Sequence, residues 1–369
     1  RISVHFPSDP RVERAHEFVL ENERMKVTFD PQNAAVISLI DKTNGKEMID
    51  SSRRAGIFRL IEEDATHGGT AWVIGRYMNI NELCQNIKVN KVQYADEFLR
   101  RAITYEISFR DSKLKATVSL DRNSDMLKYD VECDWHEVGK PRDIVPQLGF
   151  YLPLSYKCSC YKYDVPFGIV ERQGMDMDVP GNSFAVGVNN DDSDSSIMLV
   201  TDSKYGFRCN NGAISITLIR SSADPDPYPE FGIHRFSFAI CLISACSNKN
   251  LIDMSYSFNH PMNFVSDIAH EGDLPLAKSF MKWKSSGAAI SAVKMPEKKN
   301  RDALIIRLYE TEGKKEPVTI KFSRNVAKAY AVDINERPID EPMDIITSGD
   351  EVSLHIEAYN VTSLYVEFE

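Results

Sequence analysis

The sequence has no long apolar run and no concentration of basic residues. No stretch of about 18 apolar residues occurs, so no membrane-spanning helix is predicted. The 54 acidic residues outnumber the 44 basic residues, giving a net charge of −10 over 369 residues. Because binding to nucleic-acid phosphates needs basic patches, the composition argues against nucleic acid as a partner. Homo-oligomerisation is left open.

Cysteine patterns and nucleotide-binding motifs are also missing. Seven cysteines are an odd number, and no C-x-x-C occurs, so neither a disulfide framework nor a zinc ribbon is predicted. Reduced, buried cysteines in a cytoplasmic protein fit best. Without a Gly-rich phosphate loop or a G-x-S-x-G elbow, nucleotide binding and elbow-type serine hydrolysis have no support. The chain begins at Arg1 and shows no signal peptide, so we expect either that the sequence begins inside a longer polypeptide or that its start was processed.

Alternating apolar residues dominate the chain and predict an all-β fold. Helical periodicity is scarce, and no β-α-β alternation is seen, which disfavours parallel α/β folds. A turn-rich stretch precedes residue 280, and a new series of short strands follows it. We therefore predict a connector at 1–20, a large β domain at 21–280 and a small β-sandwich at 281–369.

The run Asp134-Trp135-His136-Glu137 ends one predicted strand. Alternation places Trp135 on an apolar face, and Asp134 with His136 on a polar face. A metal site needs three or four converging ligands, and the surrounding sequence supplies no obvious others. The pattern favours a buried Trp135 over a catalytic or metal site.

The stretch LIRSSADPDPYPEFGIHRF is the densest site-like segment, and Arg220 ends its strand. Three prolines stiffen the loop that follows and hold Asp224 and Asp226 at a fixed spacing. Carboxylates and arginine typically bind sugar hydroxyls, which both donate and accept hydrogen bonds. The aspartates either contact a sugar or cap a proline-rich turn through backbone N–H groups.

The stretch THGGTAWVIGRY offers an aromatic platform beside paired glycines. Gly68 and Gly69 permit close approach of the backbone to another group. Trp72 either stacks on a sugar ring or fills a core.

The motifs, taken in order, resemble the C-terminal β-rich region of the α-mannosidases of glycoside hydrolase family 38, bacterial type. The resemblance covers nearly the entire chain and rests on these segments: LENERMKVTFDPQNAAVISLIDKTNGKEMI, TAWVIG, DWHE, YDVPFGIVER, YGFR, LIRSSADPDPYPEFGIHRFSFAI, FNHP, ALIIRLYE and VTSLYVEF.

The resemblance implies a β-supersandwich of the galactose-mutarotase-like kind followed by a small β-sandwich. It also implies retaining hydrolysis of mannose-containing oligosaccharides by the full-length enzyme. The nucleophilic aspartate and the residues that bind a divalent metal, zinc by expectation, belong to an N-terminal catalytic domain that this sequence lacks. The present chain is therefore expected to contain no catalytic residue and no metal ligand, and to pack on that domain as its partner.

The resemblance also suggests substrate contacts. Arg220 matches an arginine that reaches the active site in some relatives, and Trp72 stands near a position that is tyrosine in relatives. His234 matches the family pattern, although Glu230 replaces its usual aspartate. With Asp226 from the proline-rich loop, the predicted substrate-binding residues are Arg220, Trp72, Asp226 and His234. The alternative is a stand-alone carbohydrate-binding or mutarotase-like module using His234 and Glu230 as acid and base.

Overall fold

The computed structural model describes residues 18–96, 99–226, 230–266, 268, 271–273, 275, 277–298, 302–339 and 344–369, with side chains omitted at 91–96. Of the connector predicted for residues 1–20, residues 1–17 lie outside this part of the chain. Contacts between residues divide the described chain into two compact units. The large unit comprises residues 18–164 and 170–246, and the small unit comprises residues 165–169 and 247–369.

Antiparallel strands supply nearly all the regular structure, so the predicted all-β fold is confirmed. The strands up to residue 242 are β1 (Val19–Glu21), β2 (Met25–Phe29), β3 (Val36–Asp41), β4 (Lys46–Glu47), β5 (Ile57–Asp64), β6 (Tyr77–Glu82), β7 (Ile87–Asp96), β8 (Arg100–Phe109), β9 (Ser112–Asp121), β10 (Met126–Trp135), β11 (Ile144–Pro153), β12 (Cys158–Val165), β13 (Gly168–Arg172), β14 (Val179–Pro180), β15 (Phe184–Asn189), β16 (Ile197–Thr201), β17 (Gly206–Asn210), β18 (Ala213–Arg220) and β19 (Gly232–Leu242).

The remaining elements are one helix and eight strands within the described residues. They are α1 (Asn248–Asn259), β20 (Met281–Lys284), β21 (Ala288–Lys294), β22 (Ala303–Glu310), β23 (Glu316–Phe322), β24 (Val326–Val332), β25 (Ile346–Ser348), β26 (Glu351–Ile356) and β27 (Val361–Phe368). In the described chain, no helix is both long and apolar enough to span a bilayer.

The large unit is a supersandwich of two extended sheets and a smaller one. One sheet has nine strands in the order β13-β12-β15-β16-β19-β10-β9-β8-β7, and the other has six in the order β14-β17-β18-β11-β5-β6. A four-stranded sheet, β1-β2-β3-β4, adds to the same core. Aromatic rings join the large sheets, because Phe150 of β11 lies 4.6 Å from Phe238 of β19 and 5.1 Å from Tyr129 of β10.

The six-stranded sheet has one apolar face and one polar face. Leu148 pairs with Leu60 on the face that enters the core. One residue earlier, Gln147 pairs with Ile61 on β5 and with Arg220 on β18. Because side chains alternate along a strand, Gln147 and Arg220 point away from that core. This second face carries the polar residues considered below.

The small unit buries a separate core between two four-stranded sheets, β20-β23-β26-β25 and β21-β22-β27-β24. Val318 and Ile320 of β23 face this core from one sheet, and Ile306 and Leu308 of β22 face it from the other. This is the predicted small β-sandwich. By contacts α1 belongs to this unit, and the domain boundary near residue 280 stays a prediction.

Candidate functional site

The segment 65–76, called the Trp72 loop, joins β5 to β6 at the edge of the six-stranded sheet. The side chain of Trp72 is 78% exposed, and its neighbours Val73 and Ile74 are also exposed. Trp72 therefore fills no core among the described residues, and its predicted stacking on a sugar ring stays a prediction.

A buried ion pair lies beneath this loop. Arg220, the last residue of β18, donates from Nε to Glu63 Oε2 at 2.8 Å and from Nη2 to Glu63 Oε1 at 2.7 Å. Glu63 is fully buried, and the Arg220 side chain is 14% exposed. Gln147 Nε2 also donates to Glu63, at 2.5 Å. Because a buried carboxyl group needs partners for its oxygens, these hydrogen bonds fix the Glu63 side chain in place.

The same guanidinium group binds the backbone of the Trp72 loop. Arg220 Nη1 donates to the carbonyl of Thr70 at 2.5 Å, and Nη2 donates to the carbonyl of Val73 at 3.1 Å. Arg220 thus makes four hydrogen bonds to protein with a group that has five N–H donors. The geometry makes Arg220 a positioning residue for the loop, and its predicted contact with sugar stays a prediction.

A glycine completes the attachment of the loop to Glu63. The backbone N–H of Gly75 donates to Glu63 Oε1 at 2.5 Å. A Cβ at this position would lie 2.0 Å from the carbonyl oxygen of Asp64, a distance that no side chain tolerates. Position 75 therefore requires glycine, because the backbone there passes close to the end of β5.

The segment 221–226, called the Asp224 loop, fastens the other side of the Trp72 loop. Asp224 Oδ2 accepts from Gly69 N at 2.8 Å, while Thr70 Oγ1 accepts from the backbone N–H groups of Ala223 and Asp224, each at 3.0 Å. The Asp224 carboxylate therefore bonds a backbone N–H, but this N–H belongs to the Trp72 loop and not to the proline-rich turn that was predicted. Asp226 is exposed, and its predicted sugar contact stays a prediction. Residues 227–229, including the tyrosine of the proline-rich stretch, lie outside the described residues.

The end of β10 supports the base of the Asp224 loop. Trp135 is 0% exposed, which confirms the prediction of a buried strand end. Its indole N–H donates to Ser221 Oγ at 2.7 Å, and Ser221 Oγ donates to the carbonyl of Glu137 at 2.8 Å. Because Ser221 follows Arg220 directly, these bonds fix the point from which the guanidinium reaches the Trp72 loop.

The two histidines considered in the sequence analysis each contact a residue close to them in the sequence. His136 and Asp134 lie 2.8 Å apart on the polar face of β10. His234, half-buried on β19, contacts the main-chain carbonyl of Glu230 through Nε2 at 2.9 Å. A carbonyl oxygen cannot exchange protons as a carboxylate does, so this contact gives no support to a His234–Glu230 acid–base pair. The predicted sugar contact of His234 stays a prediction.

A second polar cluster on the same sheet face was missed by sequence reasoning. Asp178 accepts from Tyr77 Oη at 2.9 Å and from Arg208 Nε at 2.8 Å, and the Arg208 guanidinium lies 3.4 Å above the Tyr77 ring. Burial, together with the charge of Asp178, raises the pKa of Tyr77, so the phenol stays protonated as a donor. Gln147, 3.3 Å from Tyr77 Oη, links this cluster to Glu63.

Weak sequence signals mark the missed residues. Gln147 is a lone amide in an otherwise apolar strand, and Glu63 continues the face of Ile61 along β5. A buried polar residue in such a strand must find partners, yet the strand pattern does not say which. The partners come from distant segments, and Glu63 and Arg220 are 157 positions apart.

The buried polar residues that the structure describes on this sheet face support the exposed Trp72 loop and offer no unpaired carboxylate. The buried carboxylates Glu63 and Asp178 are each paired with an arginine, and neither is left to act as a free acid or base. Among the described residues, no three His, Cys, Asp or Glu side chains converge on a point that could hold a metal ion. The resemblance places the zinc centre in a preceding catalytic domain, and that placement stays a prediction.

Comparison with known proteins identifies the family. The profile of the "Glycosyl hydrolases family 38 C-terminal domain" matches residues 20–228, which is more than half of the sequence. The chain belongs to glycosyl hydrolase family 38. The profile of the "Glycosyl hydrolases family 38 C-terminal beta sandwich domain" matches residues 287–364, within the small unit. Both the Trp72 loop and Arg220 lie inside the first match.

Family 38 relatives are much longer than this chain. An alpha-mannosidase of Saccharomyces cerevisiae is 22% identical over 347 residues, a match that covers 85% of this chain and 31% of the relative. Human alpha-mannosidase 2C1 is 23% identical over 357 residues, covering 94% and 33%. The chain thus spans about a third of the curated relatives it matches. The crystal structure of an alpha-mannosidase from Enterococcus faecalis shares the fold, with a TM-score of 0.74 and 14% identity over 96% of this chain and 42% of that one.

Proposed function

We propose that this chain is the C-terminal, non-catalytic part of an α-mannosidase and forms one wall of its sugar site. Support comes from the family 38 matches to both units and from relatives about three times as long. Hydrolysis of a mannose-containing oligosaccharide is assigned to a preceding catalytic segment, against which this chain packs. The divalent metal, zinc by expectation, is assigned to that segment as well. A cytoplasmic location stays a prediction.

One observation carries the proposed role in the sugar site. Trp72 is exposed, yet the backbone on both sides of it is hydrogen-bonded to the half-buried Arg220. An exposed aromatic ring on a fixed backbone is pre-organised, so little conformational entropy is lost when it stacks against a ligand. Trp72 is therefore proposed as the sugar contact, with Arg220 acting through the loop. Asp226, exposed in the neighbouring loop, is a second proposed contact.

The division of labour can be tested with an aryl α-mannoside as substrate. The polypeptide that carries this chain together with its preceding segment should hydrolyse it, and the 369-residue chain by itself should not. Turnover by the isolated chain would contradict the proposal.

The role of Trp72 needs a separate variant in the active polypeptide. Trp72→Ala should raise KM about tenfold, the size of one lost stacking contact, without shifting the unfolding midpoint. Phe264→Ala is the matched control, because Phe264 is also a highly exposed aromatic residue but belongs to the small unit. Unchanged kinetics in Trp72→Ala would mean that this face has only a structural role. The proposal that it forms part of the sugar site would then be wrong.

A further inference from the structure

A polar cavity of about 640 Å³ opens on the large unit. Its lining comes from the β2–β3 turn, the start of β3, the segment 51–54 and strands β5, β6 and β11, all outside the Trp72 loop. Its volume falls within the range of about 300–1,000 Å³ that is typical of ligand pockets. Neither the family match nor the proposed function assigns it a role.

Two arginines in this cavity share one carboxylate. Arg54 Nη1 lies 2.9 Å from Glu82 Oε2, and Arg59 Nη2 lies 3.0 Å from Glu82 Oε1. Within the described chain, the buried Nε of Arg59 has no hydrogen-bond partner. The Arg59 guanidinium lies 3.3 Å above the ring of Tyr151, which fixes its plane. One carboxylate cannot accept from all the N–H groups of two guanidiniums, so terminal Nη donors of Arg54 and Arg59, rather than the buried Nε, remain for a ligand.

Hydroxyl groups and acceptors line the remaining walls. Tyr151 Oη accepts from Arg53 Nη1 at 3.1 Å, which leaves the phenolic proton to donate. Asp30 accepts from Gln32 N at 2.7 Å and keeps further lone pairs. Ser51 adds an exposed hydroxyl at the rim. Donors and acceptors therefore converge on one space.

The charges around the cavity balance. Three guanidinium groups meet three carboxylates in and directly behind the lining: Arg53, Arg54 and Arg59 with Asp30, Asp50 and Glu82. An oxyanion would approach two lining carboxylates, and a cation would approach the arginines, so neither charge is favoured. Neutral hydroxyl groups can use both kinds of partner. Ile37, 49% exposed, supplies an apolar wall for C–H groups.

We propose that this cavity is a binding site for a neutral saccharide. Arg54 and Arg59 donate to ligand hydroxyl oxygens, and Glu82 with Asp30 accepts ligand hydroxyl protons. Tyr151 orients Arg59 and adds one donor. This inference goes beyond the proposed function and does not depend on it, because it uses no residue of the Trp72 loop.

The test measures binding of methyl α-mannoside, α-mannobiose and inorganic phosphate by saturation-transfer NMR and calorimetry on the full chain. The saccharides should bind, and phosphate should not. Arg54→Ala should weaken saccharide binding about fivefold or more, since it removes charge-assisted hydrogen bonds. Ser51→Trp, at an exposed rim position, should block binding without disturbing the core.

Arg100→Ala is the matched control, because Arg100 forms an exposed ion pair with Asp121 at 2.5 Å elsewhere in the same unit. It should bind the saccharides like the unmodified chain. Absence of saccharide binding would overturn the inference, as would binding of phosphate alone. Saccharide binding that survives both Arg54→Ala and Ser51→Trp would also overturn it. Trp72→Ala separates the two proposals, because it should alter mannoside hydrolysis and leave this cavity unchanged.

Discussion

Trp135 and Trp72 lie at two ends of one chain of contacts and have opposite environments. Trp135 is completely buried at the end of β10, and Trp72 is 78% exposed on the Trp72 loop. Trp135 binds Ser221, and the adjacent Arg220 binds the backbone at Thr70 and Val73. The comparison shows that the buried tryptophan supports the loop that presents the exposed one.

In the small unit, the buried carboxylate of Glu316 has a different set of hydrogen-bond donors. Glu316 accepts from Ser285 Oγ and Ser286 Oγ, each at 2.8 Å, and from the backbone N–H of Gly287 at 2.8 Å. These donors belong to a single turn, and no arginine takes part. A buried acid can therefore serve a local turn or, as with Glu63 in the large unit, hold an exposed loop. In the second arrangement the supported loop carries an exposed tryptophan.

The largest expected effect comes from removing the buried member of the tryptophan pair. Trp135→Ala should lower the free energy of unfolding of the large unit by about 3–5 kcal/mol, because it leaves a cavity and removes the donor to Ser221. Urea titration followed by circular dichroism measures the loss. Trp135→Phe, which keeps most of the ring volume, should lose less. A loss below about 1 kcal/mol for Trp135→Ala would contradict its role in the core.

Breaking the connection between the two tryptophans should have a somewhat smaller effect. Arg220→Ala leaves Glu63 buried without its charge partner and should cost about 3 kcal/mol. Amide hydrogen exchange should also become faster in the Trp72 loop, because the carbonyls of Thr70 and Val73 lose their donor. Arg100→Ala, which breaks an exposed pair, should cost less than about 1 kcal/mol. Equal losses in the two variants would show that the Glu63–Arg220 pair is not a special support.

Removing the exposed tryptophan should have the smallest effect on stability. Trp72→Ala should change the free energy of unfolding by no more than about 0.5 kcal/mol, since its ring is mostly in solvent. The same change should remove the fluorescence component that acrylamide quenches most easily. A larger loss of stability, or quenching that does not change, would mean that the ring packs against the protein in solution.

The strands, and the side chains that point into the core, were predictable because both depend on the alternation of apolar and polar residues along a short segment. Residues 129 to 135 of β10 alternate between buried and less buried positions as their sequence predicts. The ordered motifs also pointed to the right family, which the two profile matches show. The partners of Arg220 were not predictable, because an arginine at a strand end is equally compatible with a ligand and with a distant carboxylate.

The sequence by itself determined that Trp135 is buried, because a two-residue period assigns each strand side chain to a face without knowledge of distant partners. The tertiary structure alone decided that Arg220 holds the Trp72 loop and that Trp72 faces solvent. Glu63 and Arg220 are 157 positions apart, and they meet only after β5, β11 and β18 align in one sheet. A hydrogen bond acts over about 3 Å, so strand register decides which of the possible partners is reached.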